Sequence, residues 1–270
     1  MSIPVIEVRA SNLPMGWERS VLRCWNEGIK IETEYDRPGD PKSRDCTMVL
    51  VVSDPMSEPR IHRAMPAGLG DLEVYRQEVL YGIHDHWIDP DAGKWEYTYH
   101  ERLFAYRQGG FVIDQIKLVI DKLAEAPHTR RAQAVTWKAW TDPLVDDPPC
   151  LQRLWFRIMD DKLCMNIHIR SNDAYKAGFM NMYAFTEIQK FVAEQVSEQM
   201  GRHIMVGQYV HIADSFHIYG SDFAQFNGFL DTVDSKRTFE ERTWTTQFAK
   251  PHFDEARKRI ASEIYSQGDS

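Results

Sequence analysis

Leu163-Cys164-Met165-Asn166-Ile167-His168-Ile169 places an apolar side chain at every second position, the period of a strand with one buried face. Working outward, Gln133-Ala134-Val135-Thr136-Trp137, Leu151 to Met159 and Met205 to Ile212 are also β-rich, so a sheet occupies the middle of the chain. Met182, Phe185, Ile188, Val192 and Val196 fall on one helix face that stops at Gly201. Apolar spacing predicts two further helices, over Leu72 to Tyr81 and Gly110 to Ala126, and a charged helical tail from about Asp254 to Ser266. Early strands are expected around Gly28 to Thr33 and over Cys46 to Ser53, joined by the turn-rich loop Tyr35-Asp36-Arg37-Pro38-Gly39-Asp40-Pro41-Lys42. Helices and strands mix without a regular β-α-β alternation, which predicts an α+β fold. No repeat, low-complexity tract or linker divides residues 1–270, so a single domain is expected.

Hydrophobic residues make up 43% of the 270, enough to fill a core and to exclude disorder for most of the chain. The 32 Lys and Arg are outweighed by 40 Asp and Glu, giving −8, so no global basic field exists to hold a nucleic-acid polymer. A phosphate ligand would need a local arginine cluster. Apolar runs such as Met48 to Val52 are only strand-length and no signal-peptide pattern opens the chain, so a soluble, cytoplasmic protein without a membrane partner is expected. Cys24, Cys46, Cys150 and Cys164 form no C-x-x-C pair and predict free thiols. The ten histidines lack zinc-site spacing, and no metal is expected.

Cys150 follows Asp146-Asp147-Pro148-Pro149, a turn that can aim a thiol, although a buried small hydrophobe is the commoner fate of cysteine. Arg130-Arg131 and Arg170-Ser171 flank it in sequence at strand ends, where they read either as solvated side chains or as a fork for phosphate oxygens. Asp173, Asn181, Asp214, His217 and Tyr219 are polar positions within apolar or aromatic segments. Asn181, at the start of a helix, is a cap in one reading and a bidentate reader of a base edge in the other. His217 and Tyr219 read as a satisfied core pair or as ligand contacts.

Taken in order, these segments resemble the thymidylate synthase family. Thr129 to Trp137 resembles its arginine-pair strand, Asp147-Pro148-Pro149-Cys150 its nucleophile turn, and Arg170-Ser171-Asn172-Asp173, with Asn181 eight residues on, its phosphate, folate and base-reading segment. His211 to Tyr219 resembles the strand that binds the sugar 3′-hydroxyl. The likeness is strong over residues 128–220 and weaker over 73–106, where Glu78, the segment Ile83-His84-Asp85-His86-Trp87 and Tyr99 resemble further site positions. His84 stands where a second tryptophan is usual, Asp36-Arg37-Pro38-Gly39 keeps the arginine of a phosphate loop, and Ser266-Gln267-Gly268-Asp269-Ser270 lacks an apolar, valine-ended tail. Residues 1–71 and 231–270 are otherwise divergent.

The resemblance implies a mixed central sheet packed with helices and a sheet-to-sheet homodimer with shared active sites. It implies Cys150 as the nucleophile that adds to carbon 6 of a pyrimidine nucleoside monophosphate, its thiolate favoured by arginines. Arg37, Arg130, Arg131, Arg170 and Ser171 would hold the phosphate, with Arg130 and Arg131 serving the partner's site. Asn181 would bind the base, and His217 and Tyr219 the sugar. Glu78 and Tyr99 would manage proton steps, while Asp173, Trp87 and His84 would face 5,10-methylenetetrahydrofolate, the cosubstrate. Asn181 favours uracil, so the implied reaction is reductive methylation of dUMP. The alternative is a hydroxymethylase acting on dUMP, dCMP or CMP, with water replacing hydride at the shared methylene intermediate.

Overall fold

The computed structural model describes residues 2–268, with side chains through residue 263. The elements run β1 (Val5–Ala10), α1 (Leu13–Glu27), β2 (Ile29–Ile31), β3 (Ser43–Val52), β4 (Ile61–His62), α2 (Leu69–Tyr81), α3 (Tyr99–Phe104), β5 (Tyr106–Gln108), β6 (Phe111–Ile113), α4 (Gln115–Glu125), β7 (Gln133–Val135), β8 (Leu151–Met159), β9 (Lys162–Asp173), α5 (Gly178–Met200), β10 (Met205–Ile218), α6 (Phe223–Asp234), β11 (Thr243–Trp244) and α7 (Thr246–Gly268).

Seven strands form one mixed sheet in the order β1-β3-β10-β9-β8-β7, with β2 also on β3. β1–β3 and β9–β10 are parallel pairs; the other pairings are antiparallel. This is the α+β arrangement expected, and the first seventy residues are part of it, because β1 and β3 extend the sheet beyond β10. The alternation read in Leu163 to Ile169 is real. Leu163, Met165, Ile167 and Ile169 are buried, whereas Cys164, Asn166 and His168 on the opposite face are only half-buried.

α5 lies against β9 and β10, α1 against β1 and β3, and α4 against β7 and β8. α5 is tied to the sheet by buried Gln189, whose Nε2 donates to the carbonyls of Leu163 (2.7 Å) and Gly207 (3.1 Å). Gly207 sits where the β9–β10 register shifts between Val206 and Tyr209, so the amide satisfies carbonyls the ladder leaves loose. α1 enters through Asn12, whose side chain accepts from Met15 N–H at 3.1 Å. It buries Trp17, which packs edge-on against Phe179 and Phe229 and donates Nε1–H to the Ala174 carbonyl at 2.8 Å.

Three local expectations change. The segment beginning at Gly110 starts as a hairpin: Gly109 and Gly110 both hold positive φ, 55° and 87°, so β5 and β6 join through a turn that only such residues make easily. The helix waits for Asp114, whose side chain caps Lys117 N–H at 2.8 Å. β9 continues to Asp173, which puts Arg170 and Ser171 inside the strand instead of at its end. The C-terminal helix begins at Thr246, earlier than the charge pattern suggests. The Asp269-Ser270 end of the expected non-apolar tail lies outside the described residues.

Replacing Gln189 by Leu should cost about 1–3 kcal/mol, because the Leu163 and Gly207 carbonyls would be left buried without their donor. Urea unfolding of the two proteins measures the difference, and equal midpoints would contradict it.

Candidate active site

Where β9 and β10 end together, Ser215 pairs with Ser171, Phe216 with Asn172 and His217 with Asp173. A cavity of about 520 Å³ opens there. Its walls include Cys150, Ser171, Asp173, Asn181, His217 and Tyr219, together with Tyr75 and Glu78 of α2 and Trp95, Tyr97 and Tyr99 of the approach to α3. Residues more than 140 positions apart in sequence thus meet in one place.

Cys150 is half-buried at the corner before β8. Arg170 braces that corner: its backbone N–H donates to the Cys150 carbonyl (2.8 Å), its Nε to Pro149 (3.1 Å) and its Nη2 to Pro148 (2.6 Å). Tyr99, buried, accepts the N–H of Leu151 at 3.2 Å and fixes the next residue. Arg170 favours the thiolate, as expected of a nearby arginine, but it is not the largest influence on the sulfur. Burial pushes the thiol above its ordinary pKa and Asp147 adds to the rise, and together these outweigh the pull of Arg170. Tyr75, Tyr97, Tyr99 and Tyr219 are likewise pushed up, first by burial, Tyr219 to about 12. The cavity therefore presents un-ionised phenols to whatever charge develops at the sulfur.

Asp173 ends β9 by accepting from the N–H groups of Tyr175 (3.0 Å) and Lys176 (2.8 Å), which shapes the turn into α5. Burial lifts its carboxyl to about 6 despite those bonds. Asn181 is not a cap: Ala177 holds that position, and the Asn181 N–H already donates to the Ala177 carbonyl at 2.9 Å. Its side-chain oxygen instead accepts from Tyr75 Oη at 2.6 Å.

His217 touches Ser215 Oγ through Nδ1 at 3.1 Å, and that serine donates to Asp45. Its Nε2 is buried without a hydrogen-bond partner, and burial keeps the ring neutral. Tyr219 packs edge-on to it at 4.6 Å. Gly220 follows because a Cβ there would overlap the Pro41 carbonyl, so the loop carrying Arg37 presses on the end of β10.

Glu78 meets His84 Nδ1 at 2.8 Å, and burial raises the carboxyl although His84 opposes the rise. His84 stacks flat on Trp87 with ring centroids 3.8 Å apart, and Trp87 meets Trp95 edge-on at 5.0 Å. Trp95 lines the cavity; Trp87 and His84 form the layer behind it. Arg37 is exposed, as are Arg130 and Arg131, which belong to a separate groove with His128 and Lys122. None of these three lines the cavity within this chain.

Sequence reasoning missed Tyr75, Trp95, Tyr97 and Asn172. Asn172 is buried and accepts at Oδ1 from, or shares a proton with, His211 Nε2 at 2.9 Å; burial holds His211 near pKa 3 and hence neutral. Among the described residues, no group of three His, Cys, Asp or Glu could hold a metal, and no helix is long and apolar enough to cross a membrane.

A thiol on a braced corner, beside an amide, a carboxyl and neutral phenols in one cavity, defines a site suited to covalent catalysis. The thymidylate synthase family model matches residues 72–265. Relatives from Methanosarcina mazei (31% identical over 77% of this chain and 89% of theirs) and Methanopyrus kandleri (37% over 70% and 83%) are both named "Putative thymidylate synthase". The solved thermostable thymidylate synthase A from Bacillus subtilis superposes with a TM-score of 0.60 at 16% identity, covering 79% of this chain and 82% of that one. The chain belongs to the thymidylate synthase family, a family of transferases that bind a nucleotide and use methylenetetrahydrofolate.

Alkylation of Cys150 by iodoacetamide, followed by peptide mass spectrometry, should rise through a midpoint above the usual cysteine value of about 8.5. Arg170→Ala should move that midpoint higher still, since Arg170 favours the thiolate; a midpoint that falls would contradict the balance described.

Proposed function

We propose that this chain methylates dUMP at carbon 5 with methylenetetrahydrofolate, through addition of Cys150 to carbon 6. The observation that carries this reading is the convergence of Cys150, Asn181, His217 and Tyr219 on one cavity. Carbon 5 of uracil is a poor nucleophile until sulfur adds at carbon 6 and creates an enolate. Cys150 supplies that sulfur, and its raised pKa means that the thiol must lose its proton as addition proceeds.

Asn181 reads N3 and O4 of the base, and His217 with Tyr219 holds the sugar hydroxyl, Nε2 of His217 being the unpartnered atom available for it. Arg170 and Ser171 bind the phosphate alongside Arg37, and Arg130 and Arg131 of the partner subunit complete the cradle. Glu78 carries protons through water, and Tyr99 keeps the corner in place.

The cavity volume falls within the usual range for small-molecule sites, about 300–1,000 Å³, and Trp95, backed by Trp87, gives it a flat aromatic wall. Those residues and Asp173 fit a folate. Methylenetetrahydrofolate would supply the carbon unit and the hydride.

A second reading, hydroxymethyl transfer, draws on the Glu78–His84 contact at 2.8 Å, which joins the cavity-lining Glu78 to a second proton carrier in the layer behind it and would give an attacking water a base. The open face of the sheet supports the sheet-to-sheet homodimer: Val5, Arg153, Met159 and Gln208 are exposed there, beside half-buried Trp155 and His168.

Mass spectrometry of products from dUMP, dCMP, UMP and CMP with methylenetetrahydrofolate tests the assignment. A methyl group on dUMP with release of dihydrofolate is expected, and a hydroxymethyl product would overturn it in favour of the second reading. Cys150→Ala should abolish turnover in either case. Mixing Cys150→Ala with a double Arg130→Ala, Arg131→Ala variant should restore activity if sites are shared across a dimer; no recovery would argue that each chain works alone.

A further inference from the structure

Tyr75 lies one helical turn before Glu78 on α2 and lines the cavity. Among the described residues its hydroxyl makes one hydrogen bond, to Asn181 Oδ1 at 2.6 Å. Burial keeps the phenol un-ionised, so it retains a proton to donate. Asn181 is itself buried, and its backbone N–H is committed to Ala177. Its Nδ2 has no hydrogen-bond partner among the described residues, although the side chain borders the cavity.

A primary amide has one accepting end and one donating end. With the accepting end held by the phenol, the donating end is the one offered to a ligand. We propose that Tyr75 is a positioning residue that fixes the Asn181 amide so that the cavity selects pyrimidines with a carbonyl, not an amino group, at carbon 4. This rests on the reading above in which Asn181 faces the base.

In that orientation Nδ2–H meets O4 of uracil, and the second lone pair of Oδ1 remains for N3–H. Cytosine presents the reverse pattern, an acceptor at N3 and a donor at the amino group. To match it the amide would have to turn over, placing Nδ2–H against the Tyr75 oxygen. The phenol proton would then have lost its one acceptor, a costly outcome for a buried hydroxyl. The same phenol would suit an aspartate at 181 equally well, donating to one carboxylate oxygen and leaving the other to accept from a cytosine amine.

Dissociation constants of dUMP and dCMP, measured by titration calorimetry on the wild type, Tyr75→Phe and Asn181→Ala, test the assignment without requiring turnover. The wild type should prefer dUMP, and Tyr75→Phe should narrow the dUMP-to-dCMP preference by about 3- to 10-fold, the worth of one neutral hydrogen bond. General loosening of the fold would weaken both nucleotides alike and leave the ratio unmoved. If Asn181→Ala collapses the preference while Tyr75→Phe does not, the role of Tyr75 fails and the base-reading role of Asn181 stands. If neither variant changes the ratio, or if the wild type prefers dCMP, both fail. Should Tyr75→Phe not fold, Tyr75→Met removes the hydroxyl with a flexible apolar replacement and reads the same ratio.

Discussion

The parallel pairing of β9 with β10 is the constraint on which the rest depends. Its register sets Asp173 level with His217 and Ser171 level with Ser215, so the ends of two central strands deliver their polar residues to one point. Everything else at the cavity is hung from that edge. The Asp173 turn launches α5 and thereby places Asn181, Arg170 of the same strand clamps the Pro148-Pro149 corner that carries Cys150, and Tyr219 follows directly on the end of β10. A parallel pair needs burial on the face that α5 covers, and the buried residues Leu163, Met165, Ile167 and Ile169 provide it.

The electrostatics of the cavity follow from the same burial. Desolvation raises the thiol, the phenols and the carboxyls of Glu78 and Asp173, and it keeps His211 and His217 neutral. At neutral pH the thiol, the phenols and both histidines therefore stay uncharged, whereas Asp173, at about 6, is mostly a carboxylate, and Arg170 is the cation that pulls on the sulfur.

Much of this was legible from the chain alone. Period-two alternation announced β9, helical spacing and Gly201 announced α5, and the ordered motifs located Cys150, Asp173, Asn181, His217 and Tyr219, all of which line the cavity. The sign of the thiol's shift was not legible, because it depends on how deeply the corner is buried, and sequence shows only that arginines lie nearby. The resemblance points to Trp87 and gives no sign of Trp95, because motif spacing does not show which aromatic ring faces the cavity and which stacks on His84. Tyr75 reads in sequence as one more apolar position on α2; its partner lies 106 residues away. α1 is hard to read in sequence, since Pro14 and Gly16 interrupt the pattern Leu13, Trp17, Val21 and Cys24, although Pro14 falls in the first turn, where proline is tolerated.

The place of β3 in the sheet bears on how this chain can be divided. The segment that the family model matches begins at residue 72, yet β3 pairs with β10 from Tyr209 to Ile218 and brings Asp45, the acceptor for the serine that contacts His217. A fragment begun at residue 72 would expose the long flank of β10 as an unpaired edge bordered by apolar residues, a surface inclined to add strands from other molecules. The start of the family-model match is thus not a boundary along which the molecule can be cut.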